Sequence, residues 1–166
     1  LKADLLRQLP GLKQKFLHYS DYAGKAITDL FSSQKLDQAL KLTVEQTQTC
    51  IFYNEGGNHF SMAPLPVKAQ LAPVYGILAT DLDGNGRQDI FMAGNFFGLK
   101  PEAGRYDAGY GTTLLQEGNG NWRNLSPAES GVFTPGEVSD IQEIRVAGTP
   151  SVLVARNNDS LLLFRK

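Results

Sequence analysis

The chain has 166 residues, with 16 Lys+Arg against 17 Asp+Glu and a formal charge of −1. That length supports one domain with its own core, and the balanced charge gives no electrostatic case for nucleic acid or an anionic membrane. No apolar run is long enough to span a bilayer, while 17 glycines and 8 prolines suit a turn-rich β protein.

The sequence opens on Leu1-Lys2 with no methionine or signal peptide, as expected of a processed product or an excised piece. Residues 1–45 read as a helical segment packed on the domain that follows. Leu5, Leu6 and Leu9 precede the Pro10-Gly11 break, and Leu12, Phe16 and Tyr19 then recur at helical spacing. Ser20 or Asp21 is placed to cap a further helix carrying Ala23, Ile27, Leu30 and Phe31 on one face, with Ser32-Ser33 interrupting it. From Lys41 the period changes to two. Leu42 and Val44 alternate with polar residues, and Cys50-Ile51-Phe52-Tyr53 follows. Cys50, the only cysteine, excludes an internal disulfide and reads as a buried structural thiol. Asn54-Glu55-Gly56-Gly57-Asn58 is a hairpin turn, His59 to Met62 returns, and Pro64 and Pro66 end that strand.

The most specific stretch is Asp81-Leu82-Asp83-Gly84-Asn85-Gly86-Arg87-Gln88-Asp89. Oxygen-bearing side chains fall at positions one, three, five and nine, a ligand alternation that a hairpin turn does not require. Calcium takes six to eight oxygens at about 2.3–2.6 Å. Asp81, Asp83, Asn85 and Asp89 offer side-chain oxygens, and the Arg87 carbonyl is the natural backbone ligand. Gly84 and Gly86 let the chain curl around an ion. The flanks Val74–Thr80 and Ile90–Ala93 are short and β-prone, and position twelve is Met92. An EF-hand would need flanking helices and a carboxylate there, so the loop joins two strands.

Asn95 to Gly111 is long for a connection and carries Arg105, Tyr106 and Tyr110. Aromatics beside Arg and Asp suit contact with a sugar or peptide. Shifting the sequence by 62 residues places Glu55-Gly56 on Glu117-Gly118, Phe60 on Trp122, Ile90–Ala93 on Val152–Ala155 and Asn95 on Asn157. The expectation is an internal repeat of two four-stranded antiparallel units, about 47–95 and about 111–157. The same shift puts Asp81, Asp83, Asn85 and Asp89 on Glu143, Arg145, Ala147 and Ser151, so the second unit lacks the ion site, with Arg145 able to stand in for the cation beside Glu143. A turn at Arg156–Asp159 and a strand at Leu161–Phe164 complete the chain. His18 and His59 stand at no metal-ligand spacing, and neither a nucleophile elbow nor a dinucleotide fingerprint occurs. The expectation is a chain that is not an enzyme.

Asp-x-Asp-Gly-Asn-Gly-x-x-Asp between strands, with Asn-x-Gly-x-x-x-aromatic hairpins, resembles the FG-GAP/VCBS repeats of integrin-α-like β-propellers. The resemblance covers about residues 47–165, within a β region of 46–166. It implies a mainly β chain of propeller-type blades stabilised by Ca²⁺, in a periplasmic, cell-surface or secreted protein. The family's ion ligands carry over to Asp81, Asp83, Asn85, the Arg87 carbonyl and Asp89. The Gly-Ala-Pro element of the FG-GAP name is absent near Phe97-Gly98. Closed propellers need about 4–8 blades, so the chain would be the C-terminal part of a longer propeller; a self-contained two-sheet sandwich is the competing architecture. Functionally the expectation is a binding or scaffold module for a protein or glycan ligand, with no nucleic-acid partner. The alternative is the non-catalytic part of a calcium-dependent polysaccharide-degrading enzyme.

Overall fold

Hydrophobic runs broken by Pro10 and Gly24 form only short helices. The computed structural model describes residues 2–165, and the chain divides into two units at the 45/46 boundary. In the first unit, α1 (Lys2–Gln8) leads to a 3₁₀ turn at Pro10–Gln14, followed by α2 (Tyr19–Tyr22), α3 (Ile27–Leu30) and α4 (Ser33–Asp37). The single helix expected over residues 20–31 is therefore two separate turns. Gly24, at φ 74°, takes the left-handed backbone that ends the first. Ser32 precedes α4 as its N-cap residue, so the serine pair starts a helix as well as ending one. Lys2 is buried, and its ammonium donates to the Leu17 carbonyl at 3.1 Å and lies 4.8 Å from the centre of the Tyr19 ring. Carbonyl and ring together replace lost hydration. Phe16 is also buried and meets Tyr22 edge to face at 6.0 Å.

The second unit is mainly β and wholly antiparallel. Its strands are β1 (Cys50–Gly56), β2 (His59–Pro64), β3 (Val74–Thr80), β4 (Asp89–Gly94), β5 (Thr112–Gly118), β6 (Asn121–Leu125), β7 (Val138–Val146), β8 (Thr149–Arg156) and β9 (Leu162–Arg165). A short helix, α5 (Pro127–Ser130), follows β6 behind a Ser126–Glu129 capping box. The alternation of Leu42 and Val44 forms no strand; both side chains are exposed, and pairing begins only at Cys50. Cys50 is half-buried rather than buried, its thiol donating to the Gln48 carbonyl.

The strands group into sheets of two (β1-β2), four (β3-β4-β5-β6) and three (β7-β8-β9). The two four-stranded units expected from the repeat are thus not the sheets: the first would take the whole β1-β2 sheet with β3 and β4, and the second β5 and β6 with β7 and β8, so both cut the four-stranded sheet in half. Nor do the three sheets make a two-sheet sandwich among the described residues. Two of the hairpins do share a register. Asn54 faces Phe60 across β1-β2, and Gln116 faces Trp122 across β5-β6. Both hairpins carry an irregularity just before the turn, between Asn54 and Gly56 and between Gln116 and Gly118. Positive φ at Gly57-Asn58 and at Asn119-Gly120 fits the two-residue turns whose twist matches paired strands.

One shift of 62 does not hold throughout. Thr80 pairs with Asp89, whereas Ile144 pairs with Ser151. Ser151 lies 62 residues after Asp89, but Ile144 lies 64 after Thr80, so the β7-β8 loop is two residues shorter. It closes as a tight turn at Ala147-Gly148, both with positive φ. The gapless mapping of Asp81, Asp83 and Asn85 onto Glu143, Arg145 and Ala147 is accordingly wrong. The second hairpin lacks the loop as well as its ligands, and Arg145 donates to the Gly148 carbonyl of its own turn at 3.2 Å.

β4 is buried along its whole length. Ile90 and Met92 join Leu65, Ala69 and Leu114 in one core, against which Ile51, Val74 and Trp122 pack. Phe91 and Ala93 join Val138, Ile141, Val152 and Val154 in the other. The four-stranded sheet is therefore the middle layer, with β1-β2 on one face and β7-β8-β9 on the other. Gly76 lets β3 approach β7, since a Cβ there would lie 2.7 Å from Ile141 Cγ1. Phe91→Ala should cost about 3–5 kcal/mol by opening the core, whereas Phe52→Ala, on an exposed side chain, should stay within about 0.5 kcal/mol. Urea unfolding followed by circular dichroism would measure both.

Candidate metal centre

The β3-β4 loop is shaped by its own side chains. Asp81 Oδ1 accepts from the backbone N–H of Gly84 at 2.7 Å and of Asn85 at 3.1 Å, and Oδ2 accepts from Gly86 N–H at 2.9 Å. Asp83 Oδ1 accepts from Asn85 N–H at 3.1 Å, and Asn85 Oδ1 accepts from Arg87 N–H at 2.8 Å. Asp83 and Asn85 thus each cap the backbone donor two residues on, while Asp81 caps donors three, four and five residues on, and together they fold the chain back. Gly84 and Gly86 supply the left-handed backbone, at φ 79° and 82°.

Asp89 closes the ring from the first position of β4. It is fully buried, and both oxygens accept backbone donors at 2.8 Å, Oδ2 from Leu82 and Oδ1 from Gln116. Arg87 returns the contact, its Nε donating to the Gln116 carbonyl at 2.9 Å. The loop is thereby fastened to β5 through both backbone groups of Gln116, a residue that sequence patterning alone does not single out.

The geometry brings Asp81, Asp83 and Asp89 together, with one carboxylate oxygen of each lying within 4.8 Å of the others. Ligands on opposite sides of a calcium ion at about 2.3–2.6 Å would be about 4.6–5.2 Å apart, so the three oxygens fit around one cation. Asn85 is turned differently from expectation. Its Nδ2 donates to Asp83 Oδ2 at 2.9 Å while its oxygen serves Arg87 N–H. To act as a ligand the amide must share that oxygen or rotate.

The aromatic connection between β4 and β5 does not gather its three expected contact residues into one cluster of direct contacts. Tyr106 pairs its backbone with Phe96 in an isolated bridge. Arg105 stacks its guanidinium 4.8 Å above the Phe97 ring. Tyr110 stacks on Phe133, with ring centres 5.1 Å apart and planes 7° off parallel. Tyr106 and Tyr110 are each about half exposed, at 54% and 48%. The anchor of this segment is Asn95, buried at φ 80°. Its Nδ2 donates to the Gly109 and Gly136 carbonyls, both at 2.8 Å, and its Oδ1 accepts from Gly109 N–H at 2.9 Å. The match of Asn95 with Asn157 across the repeat was the available signal for this role, since Asn157 likewise joins the start of the preceding strand through Glu137.

No family model matches this chain, and no curated protein or solved structure matches it.

Glu137 ties the aromatic loop to the three-stranded sheet. Its Oε1 accepts from Phe97 N–H at 2.9 Å and its Oε2 from Asn157 Nδ2 at 2.6 Å. The Asn157 amide first, then the Phe97 N–H, hold its carboxyl below the ordinary 4.5 despite an opposing desolvation, with Arg105 adding a smaller charge effect. A folded-state pKa below the unfolded one means that the unfolded chain binds more protons in between, so stability rises with pH there. The contribution is complete above the ordinary value and is lost as pH falls through the lowered one. Glu137→Gln should therefore flatten this part of the acid limb in melting temperature measured across pH 3–6 (about the carboxylate range), leaving the neutral plateau nearly level.

Proposed function

We propose that this chain is a calcium-braced binding or scaffold module of the FG-GAP/VCBS type, built of propeller-type blades and working outside the cytoplasm. The observation that carries the reading is the convergence of one carboxylate oxygen each from Asp81, Asp83 and Asp89 to within 4.8 Å of one another, the span of one calcium coordination shell, on a strand-to-strand loop. Asp81, Asp83 and Asp89 would hold the cation, with Asn85 and the Arg87 carbonyl completing the protein ligands. The resemblance rests on the residues of the motif. It is supported by the layered antiparallel sheets and by the recurring hairpin register of β1-β2 and β5-β6.

Calcium supplies charge neutralisation to this loop and braces two strands. Asp89 is already committed to Leu82 and Gln116, so an ion held by its carboxylate would fasten the hairpin to β5 more firmly. The loop chemistry is chelation, and no nucleophile–base pair accompanies it in this reading, which is one of binding without turnover. The Arg105, Tyr106 and Tyr110 segment is the proposed contact surface for a protein or glycan, within what would be the remainder of a longer propeller chain.

Titration calorimetry of chelator-treated protein should show one calcium per chain, with Asp83→Ala abolishing the heat. Since a ligand of the folded form stabilises by RT ln(1 + [L]/Kd), calcium at about 100 Kd should add about 2.7 kcal/mol. Absence of binding, or equal binding by Asp83→Ala, would remove the ion from the reading. Glycan and peptide arrays probed with the parent chain and with Tyr106→Ala should show loss of the signal in the variant. Calcium-dependent hydrolysis or elimination of a polysaccharide by the purified chain would instead make it part of an enzyme.

A further inference from the structure

Asn-Gly occurs twice in the chain, at Asn85-Gly86 and at Asn119-Gly120, and the fold puts the two pairs in opposite surroundings. An asparagine followed by glycine is open to attack by its own backbone, because a residue without Cβ leaves the next amide nitrogen unhindered and mobile. For that reaction the nitrogen must lose its proton and reach the asparagine Cγ, so the carboxamide must be free to turn.

In the β3-β4 loop these conditions are blocked. Gly86 N–H donates to the Asp81 carboxylate at 2.9 Å, and that negative charge opposes loss of the proton. The Asn85 carboxamide is held at both ends, Nδ2 donating to Asp83 Oδ2 at 2.9 Å and Oδ1 accepting from Arg87 N–H at 2.8 Å. At the β5-β6 turn nothing comparable is present. Asn119 and Gly120 are both exposed and take φ 52° and 76° between the paired residues Gly118 and Asn121. Among the described residues neither the Asn119 carboxamide nor the Gly120 N–H has a hydrogen-bond partner. Closing the ring requires the turn to open, and exposed hairpin tips are among the segments that open most readily.

We propose that Asn119-Gly120 is a site of spontaneous deamidation, and that the hydrogen bonds of the β3-β4 loop protect the same pair at Asn85-Gly86. Hydroxide removes the Gly120 amide proton, and the nitrogen attacks Asn119 Cγ to form a cyclic imide. The carboxamide C–N bond breaks, and its nitrogen takes a proton from water and leaves as ammonia. Water then opens the imide at one carbonyl or the other, leaving an aspartyl or an isoaspartyl residue. The aspartyl form keeps the turn, since Asp-Gly favours it as Asn-Gly does. The isoaspartyl form routes the backbone through the former side chain, adding a methylene to the loop that sets the β5-β6 register. The inference is independent of the calcium reading, since it rests on hydrogen bonds made within the protein.

Chelator-treated protein aged in mildly alkaline buffer, then digested and mapped by mass spectrometry, reads both sites in one sample. The peptide containing Asn119 should convert more than about tenfold faster than the one containing Asn85, a margin that a single hydrogen bond to a carboxylate is enough to supply. In urea-unfolded protein the two rates should converge. An isoaspartyl methyltransferase should label the aged folded chain at position 119, and Asn119→Gly, which keeps a Gly-Gly turn, should remove that label. Trp122 is the only tryptophan and donates to the Tyr53 hydroxyl at 2.8 Å from the strand after the turn. The separated isoaspartyl fraction should therefore shift its emission, while Asn119→Gly keeps that of the parent; an unshifted fraction would overturn the lengthened turn. Equal rates in the folded chain, faster conversion at Asn85, or a gap that persists in urea overturns the proposal itself.

Discussion

The second unit depends on one strand that has no outside. β4 is buried at every position, and its side chains feed two cores in alternation, Ile90 and Met92 into one, Phe91 and Ala93 into the other. A strand of this kind cannot lie at the surface of a sheet with one wet face, because either set of residues would then face water. It forces the layered order: a sheet above, a sheet below, and β4 in the middle of both. The close approach at Gly76, where any side chain would strike Ile141, shows how tightly one of those layers is drawn in. The clustering of acidic residues just before β4 follows from the same geometry, since Asp89 is both the last residue of the loop and the first of the buried strand.

Asp89 joins charge to architecture. A buried carboxylate is costly unless its oxygens are satisfied, and here the Leu82 and Gln116 N–H groups satisfy them. The loop is thus held at its base by hydrogen bonds that do not depend on a cation, while Asp81 and Asp83 lie further out toward solvent. The division separates two tasks. Asp89 fixes where the loop leaves the sheet, and the outer carboxylates determine what the loop can hold. Asn95 performs the corresponding task at the other end of β4, where a left-handed backbone and three side-chain hydrogen bonds fasten the aromatic connection to Gly109 and Gly136.

Comparing the hairpins shows where they differ. The paired strands and the residues before the turns keep their register, because a one-residue slip would move every buried side chain to the wrong face. The loops change length freely. The β7-β8 turn is shorter than the Asp81–Asp89 loop, and the β8-β9 connection, 157–161, is far shorter than the β4-β5 connection at 95–111. The ion-type loop and the aromatic connection are therefore both additions to a common hairpin frame, on opposite ends of the same strand.

Much of this was legible in the residues. Period-two runs bounded by Gly, Asn and Pro located the paired strands, the alternation of Asp81, Asp83 and Asn85 marked the loop, and the shift by 62 residues found the equivalence of Phe60 with Trp122. These are local properties, set by backbone sterics and by which side chains can reach a neighbouring N–H. The grouping of strands into sheets was not legible, because β1-β2 and β5-β6 have the same local pattern yet only β5 finds β4 beside it. Nor could sequence show that Leu42 and Val44 would find no partner strand, that Gln116 would receive both Asp89 and Arg87, or that Arg105 and Tyr110 would each stack on a different ring. Each of those outcomes depends on contacts between segments distant along the chain, and pairing free energy exists only once the partner is in place. The sequence by itself determined the strands, the turns and the acidic loop; tertiary packing alone decided which strands share a sheet and which faces are covered.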